Sequence, residues 1–220
     1  GAKRPPSREP EPEHGRDHRD NKRPRQSDGA PRCPPPAAPS RPDLGIEPFS
    51  GLRVNPKTRA LSRDEMVALS KGFAVHKLRD MPQMLRQSVA SLSATSWLTI
   101  GVLVERVAAK LTSSGRKYCV WKLCDLRQQD ATTLVVFLFD DAFDVAWKHL
   151  PGQVVAVLSP RVVPPKEGAG PSEAAVSITK QAQLVRIGQA TDFALCKGER
   201  RDGQPCGMWV NTSQFEFCDF

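Results

Sequence analysis

TLVVFLFDDAFDVAWKHLPGQVVAVLSPRVV, residues 133–163, is the stretch that decides the fold. Its opening TLVVFLFD (133–140) is β-branched and aromatic, the composition of a strand. DAFDVAWKHL (141–150) reads as a helical piece, which Pro151-Gly152 ends. QVVAVLSPRVV (153–163) returns to strand composition. Upstream lie WLTIGVLVERV (97–107) and KYCVWKLCDL (117–126), separated by the turn-rich TSSG at 112–115. Downstream, the loop PPKEGAGPSE (164–173) leads to AVSITKQAQLVRIG (175–188), read as the fifth strand. The order is β-β-β-α-β-β.

Five antiparallel strands with one helix between the third and fourth is the plan of an OB-fold barrel, assigned here to residues 95–190. An SH3-like barrel is the rival, but it lacks the helix. The OB plan binds oligonucleotides on strands two and three and on two loops, which fall at about 108–116 and 164–173. Period-two alternation puts Tyr118, Val120, Lys122 and Cys124 on one face of strand two. Val135, Phe137 and Phe139 alternate with Leu134, Val136 and Leu138 on strand three. Tyr118 and Phe137 on a common open face would make a stacking platform for bases, flanked by Arg106, Lys110, Arg116, Lys117 and Lys122 for phosphates. The competing reading is that Phe137 and Phe139 fill the barrel interior.

Residues 191–220 hold Cys196, Cys206 and Cys218 in a C-x9-C-x11-C spacing. Zinc takes four tetrahedral Cys or His ligands in a structural site. Three buried thiols are the plain alternative. The segment is poor in aliphatics, with Met208, Trp209, Val210, Phe215 and Phe217 as its main apolar residues, and it would struggle to bury a core without a staple. Zn2+ on these three thiolates is therefore the expected cofactor, with the fourth ligand just after Phe220. The loop CKGERRDGQPC would then present Lys197, Arg200 and Arg201.

The formal charge of +8 is unevenly spread. Residues 1–48 carry 12 of the 20 prolines, ten Lys or Arg against eight Asp or Glu, and no aromatic residue. Such a segment has too little apolar surface to offset its ordering entropy, so 1–47 is expected to be a disordered tail. Within it, Asn21-Lys22-Arg23-Pro24-Arg25 is either a nuclear-localisation address or a solvated charge run. Residues 48–94 are expected to be an extended and helical arm packing on the barrel. There Ser62-Arg63-Asp64-Glu65 has the form of a capping box, opening a helix that stops at Gly72; a second short helix is expected over Gln83–Ser88. Residues 95–220 net only +1, so any polyanion contact must come from local patches. The cysteines fit a reducing compartment rather than a disulfide framework. The apolar runs LVVFLF and VVAVL are far too short to span a bilayer, so no membrane role is expected.

Nothing points to an enzyme: His76 and His149 are isolated, and no Ser-His-Asp, Walker or paired-carboxylate pattern has a convincing context. Asp140, Asp141 and Asp144 suit a helix start.

Taken together, PFSGLRVNP (48–56), SWLTIGVLVERV (96–107), YCVWKLCDL (118–126), VVFLFDD (135–141) and FALCKGERRDGQPCGMWVN…FEFCDF (193–220) resemble the minichromosome maintenance protein ten family of eukaryotic DNA-replication factors. The resemblance covers about residues 48–220. It implies an OB-fold joined to a CCCH zinc finger, together forming one surface for single-stranded DNA, in a nuclear, non-catalytic scaffold that docks the replicative helicase and DNA polymerase alpha; duplex DNA is a further expected partner. By position it implies Cys196, Cys206 and Cys218 as ligands, with a histidine following Phe220. The family's basic pair falls on Arg200 and Arg201, and its strand aromatics on Tyr118 and Phe137. Where the family often has two adjacent cations on strand one, this chain has Glu105-Arg106. Two rivals stay open: an RNA-binding OB module and a protein adaptor whose barrel groove holds a peptide.

Overall fold

The computed structural model describes residues 45–87, 92, 95–127, 132–164 and 173–218, all within one unit spanning Arg41–Phe220. The expected disordered tail lies outside the described residues except for its last three positions, and so does most of the 164–173 loop.

The longest element is β2, Trp97–Leu111, and its burial splits in two: the first eight residues are buried and the rest are largely exposed. At its buried end β2 pairs antiparallel with β5, Gln153–Leu158, a strand buried along its whole length. At its exposed end it pairs with β3, Lys117–Cys124. β3 pairs with β4, Thr133–Phe139, and β4 runs parallel to β7, Glu173–Ile178. The two-residue β6, Arg161–Val162, lies on the far edge of β7, while β8, Leu184–Gln189, covers the far edge of β5. The sheet curls into the mainly β OB-fold barrel expected from the strand order, with helix α3, Asp140–Ala146, between β4 and β5.

The stretch expected as a single fifth strand, 175–188, is instead β7 and β8 with a short 3-10 turn at Gln181–Gln183 between them. The Gln183 side chain makes the break. Its oxygen accepts from the Thr179 and Lys180 amides, each at 3.1 Å, and its nitrogen donates to the carbonyls of Leu158 and Ser159. One strand can then serve two edges, pairing with β4 and β6 before the break and with β5 after it. The loop expected at 108–116 is also shorter than its composition suggests, because β2 runs on to Leu111 and closes through Thr112–Arg116.

The first eight residues of β2 and all of β5 are buried on both faces because there are two cores. Inside the barrel, Leu103, Trp121, Leu123, Leu134, Val136 and Leu138 pack together. Outside, Leu98, Ile100, Val102, Val154 and Ala156 are covered by Leu52, Val54 and Met66 of the N-terminal arm. Helix α1, Arg63–Ser70, carries the capping box: the Glu65 amide donates to Ser62 Oγ at 3.2 Å and the Ser62 amide to the Glu65 carboxylate at 2.7 Å. The helix ends two residues before Gly72, which holds a left-handed φ of +85°. The arm then adds a strand that its composition does not announce: β1, Ala74–Lys77, pairs parallel with Trp97–Ile100 and extends the sheet where β3 stops opposite Val102. Helix α2 spans Met81–Gln87, two residues earlier than expected, and buries Met81, Pro82 and Leu85. Such an arm can lie close only over bare backbone: a Cβ on Gly101 would meet Leu78 Cδ1 at 2.5 Å, and one on Gly188 would meet Val54 Cγ1 at 2.5 Å.

After β8 comes a hairpin of β9, Phe193–Leu195, and β10, Trp209–Asn211. Phe193 and Trp209 pack against the outer core, so the hairpin is seated on the barrel.

Candidate nucleic-acid interface and metal centre

The β2-β3-β4 ladder sets three rows of side chains on the outer face of the barrel. Lys110, Tyr118 and Phe139 face one another across the strands; Val107, Val120 and Phe137 form the next row; Glu105, Lys122 and Val135 form the third. Phe137 and Phe139 are half-buried on this face, whereas Leu134, Val136 and Leu138 fill the interior, so the interior reading of the two rings is wrong. The ring centroids of Tyr118 and Phe139 are 5.5 Å apart with planes at 28°, and those of Tyr118 and Phe137 are 6.0 Å apart at 44°. This is an offset, mutually supporting aromatic cluster.

The cations around it divide into engaged and available. Arg106 donates to the carbonyls of Trp147 and His149 just after α3, where a cation meets the negative end of the helix. Arg116 stacks over Phe139, its Cζ 4.8 Å from the ring centre, and donates through Nε and Nη2 to the Asp140 carboxylate. That pairing raises the Arg116 pKa and lowers that of Asp140. Lys122 pairs with Glu105 at 2.7 Å. Lys110 and Lys117 are exposed, with no ion pair among the described residues. Three of the five barrel cations named from the sequence therefore already hold protein partners, and spacing alone could not reveal this.

Cys196, Cys206 and Cys218 converge, their sulfurs all within 4.8 Å of one another. The Cys206 and Cys218 sulfurs are 3.3 Å apart. The amides of Gly198 and Cys218 donate to Cys196 Sγ at 3.3 and 3.4 Å, and these bonds, that of Cys218 foremost, lower the Cys196 pKa. Three converging sulfurs with amide support fit a thiophilic ion such as zinc; the expected histidine lies outside the described residues. Cys119 and Cys124 behave differently. Burial raises both thiols, Cys124 to about 12, which marks them as inert core residues.

The loop between the first two thiols is a narrow hairpin. The Arg200 amide donates to Gln204 O at 2.7 Å and the Cys206 amide to Gly198 O at 2.9 Å. The Arg200 guanidinium folds back, donating through Nε and Nη2 to Cys206 O at 3.1 and 2.9 Å. Arg200 thus braces the backbone of a thiol residue, while Lys197 and Arg201 are exposed at the surface.

The sequence model of the MCM10 OB-fold matches residues 48–185, and that of the primase zinc finger matches residues 188–220. The chain belongs to the MCM10 family. The mouse MCM10 homologue is 33% identical over 179 residues, 80% of this chain and 19% of the relative; the human one is 31% identical over 176 residues, with the same coverage. The chain therefore spans about a fifth of the length of the MCM10 relatives it matches. DNA-binding domain A of replication protein A from S. cerevisiae superposes with a TM-score of 0.33 at 12% identity, covering 47% of this chain and 90% of that one.

Two features of this MCM10 chain escape sequence reasoning. Arg161 stands opposite Ser177 on β6, two strands from Phe137, and lines a groove with Arg116 and Phe139. A two-residue strand gives no periodicity that would place it. Asn211 joins hairpin to barrel through a buried Nδ2 bond to Leu126 O, across a sequence distance that no local pattern encodes. Among the described residues, no helix is long and apolar enough to cross a membrane.

Proposed function

We propose that this segment is the single-stranded-DNA-binding part of a nuclear, non-catalytic DNA-replication factor. The observation that carries the reading is the half-buried Tyr118–Phe137–Phe139 cluster on the barrel's outer face. Aromatic faces accept any base, and each stacked base is worth about 1–3 kcal/mol. Lys110 and Lys117 beside the cluster, with Lys197 and Arg201 on the finger, supply charge without base preference. Arg106, Arg116, Lys122 and Arg200 take a secondary part in this reading, as braces of the surface that carries the strand. Zinc on Cys196, Cys206 and Cys218 would supply a structural cross-link that keeps the basic loop folded. The replicative helicase and DNA polymerase alpha are the protein partners in this proposal, and membership of the MCM10 family supports them.

Fluorescence anisotropy with oligo-dT tests the DNA reading. Tyr118→Ala with Phe137→Ala should weaken binding roughly five- to 150-fold per lost stack. Lys197→Ala with Arg201→Ala should weaken it and flatten its salt dependence. If both pairs leave binding unchanged at full zinc content, the proposal is wrong. A preference for oligo-rU over oligo-dT would instead favour an RNA ligand, since only RNA offers 2′-hydroxyls.

A further inference from the structure

The finger carries two aromatic rings that stay well exposed outside its buried core. That core consists of Cys196, Cys206 and Val210, with Ala194 and Cys218 packed against it. Phe215 and Phe217 remain 43% and 54% exposed, although burying a phenyl ring would stabilise a small module by about 1.5–3 kcal/mol. Single exposed apolar residues are ordinary, but both of these sit on held backbone: Phe217 directly precedes Cys218, whose amide donates to Cys196 Sγ at 3.4 Å, and Phe215 closes a turn fixed by Asn211. Asn211 O accepts from the amides of Gln214 and Phe215 at 3.0 and 2.8 Å. Asn211 Oδ1 accepts from the Ser213 amide at 3.0 Å and its hydroxyl at 2.7 Å, and Asn211 Nδ2 ties the turn to the barrel at Leu126. The rings are therefore displayed on a fixed backbone. Phe217 also stands beside the basic loop: a Cβ on Gly198, the neighbour of Lys197, would lie 3.8 Å from Phe217 Cδ1.

Charge by itself gives this surface little hold on a polyanion. Lys197, Arg200 and Arg201 are balanced by Glu199, Asp202 and Glu216, and Arg200 is spent on Cys206 O. A contact made here needs a second source of affinity, and exposed rings beside two available cations provide one. We infer that Phe215 and Phe217 form a second stacking platform, on which the finger holds an unpaired nucleobase while Lys197 and Arg201 meet the adjoining phosphates. This rests on the single-strand reading above and extends it from the barrel to the finger.

The test compares oligo-dT with an abasic oligonucleotide of equal length, which keeps sugars and phosphates but lacks bases. Phe215→Ala with Phe217→Ala should weaken oligo-dT binding at least fivefold, the lower end of one stacked base, and leave abasic binding unchanged. Phe217→Tyr should retain affinity, whereas Phe217→Leu should lose it. Zinc content and melting temperature monitor the fold. On the unaltered chain, irradiation of an oligonucleotide carrying 5-iodouracil should give cross-links that peptide mass spectrometry maps to Phe215 or Phe217. Unchanged oligo-dT binding, equal losses on both oligonucleotides, or cross-links confined to the barrel would overturn the inference. If the Tyr118 and Lys197 variants still lose binding in that case, the single-strand function stands and only the finger platform falls.

Discussion

Glu105 sits in the third row of the outer face, and its carboxylate holds Lys122 Nζ at 2.7 Å, with the two side chains 50% and 41% exposed. An exposed pair of this kind contributes about 0–1 kcal/mol to stability, so Glu105→Gln should barely move the melting temperature. Its effect on a polyanion should be larger, because it removes one negative charge and frees one cation next to the aromatic cluster. Four available cations, Lys110, Lys117, Lys197 and Arg201, imply a slope of log K against log salt of about −2.8 on a single strand, at about 0.7 per contact. A fifth contact steepens the slope to about −3.5. Between 50 and 200 mM salt that difference is roughly 2.6-fold, so the variant's advantage should be greater by this factor at the lower salt. Anisotropy titrations of oligo-dT at four salt concentrations measure both slopes, and adding Lys122→Ala to the variant should return the slope to its starting value. Parallel slopes, or weaker binding by Glu105→Gln, would mean that Lys122 does not lie on the path of the strand.

Other outcomes follow from the packing. Trp121 is 1% exposed at the centre of the barrel core, so Trp121→Ala should cost about 3–5 kcal/mol in urea unfolding. Arg106→Ala should lower stability by about 1 kcal/mol through its lost carbonyl bonds, and leave the salt slope of DNA binding unaltered. His149 packs on Trp121 with centroids 5.2 Å apart, and burial holds its pKa below the usual 6.5 despite a bond to Gln153 that acts the other way. The fold keeps this imidazole neutral, so its contribution is fully present above pH 6.5 and declines as pH falls from there toward the lower folded value. Urea midpoints at pH 7.5 and 5.5 should differ less in His149→Gln than in the unaltered chain. Cys218→Ala should abolish zinc binding, measured by atomic emission, and weaken oligo-dT binding in proportion to the finger's share.

Strand composition and one interposed helix were enough to reach an OB-fold, because period-two burial and turn residues act locally. The alternation that put Tyr118, Val120 and Lys122 on one face of β3 holds in the structure for the same reason: successive side chains of any strand point to opposite sides. The cysteine spacing was legible too, since three thiols in a segment so poor in aliphatics need a common purpose. The arm was harder. Ala74–Lys77 has no strand signature of its own, and it is a strand only because β3 ends opposite Val102 and leaves an edge of β2 to be paired.

What this sequence determines by itself is the supply of chemistry: the rings, cations and thiols, and the faces on which a strand would carry them. Which of those groups are at liberty was decided in three dimensions. Arg106 is claimed by carbonyls 41 and 43 residues away, Arg116 by a carboxylate 24 residues away, and Arg200 by the backbone of a thiol residue that its own loop folds back to meet. The physical reason is that side-chain type and periodicity are local properties. The partner that satisfies a charge is whichever group the fold brings within hydrogen-bonding distance.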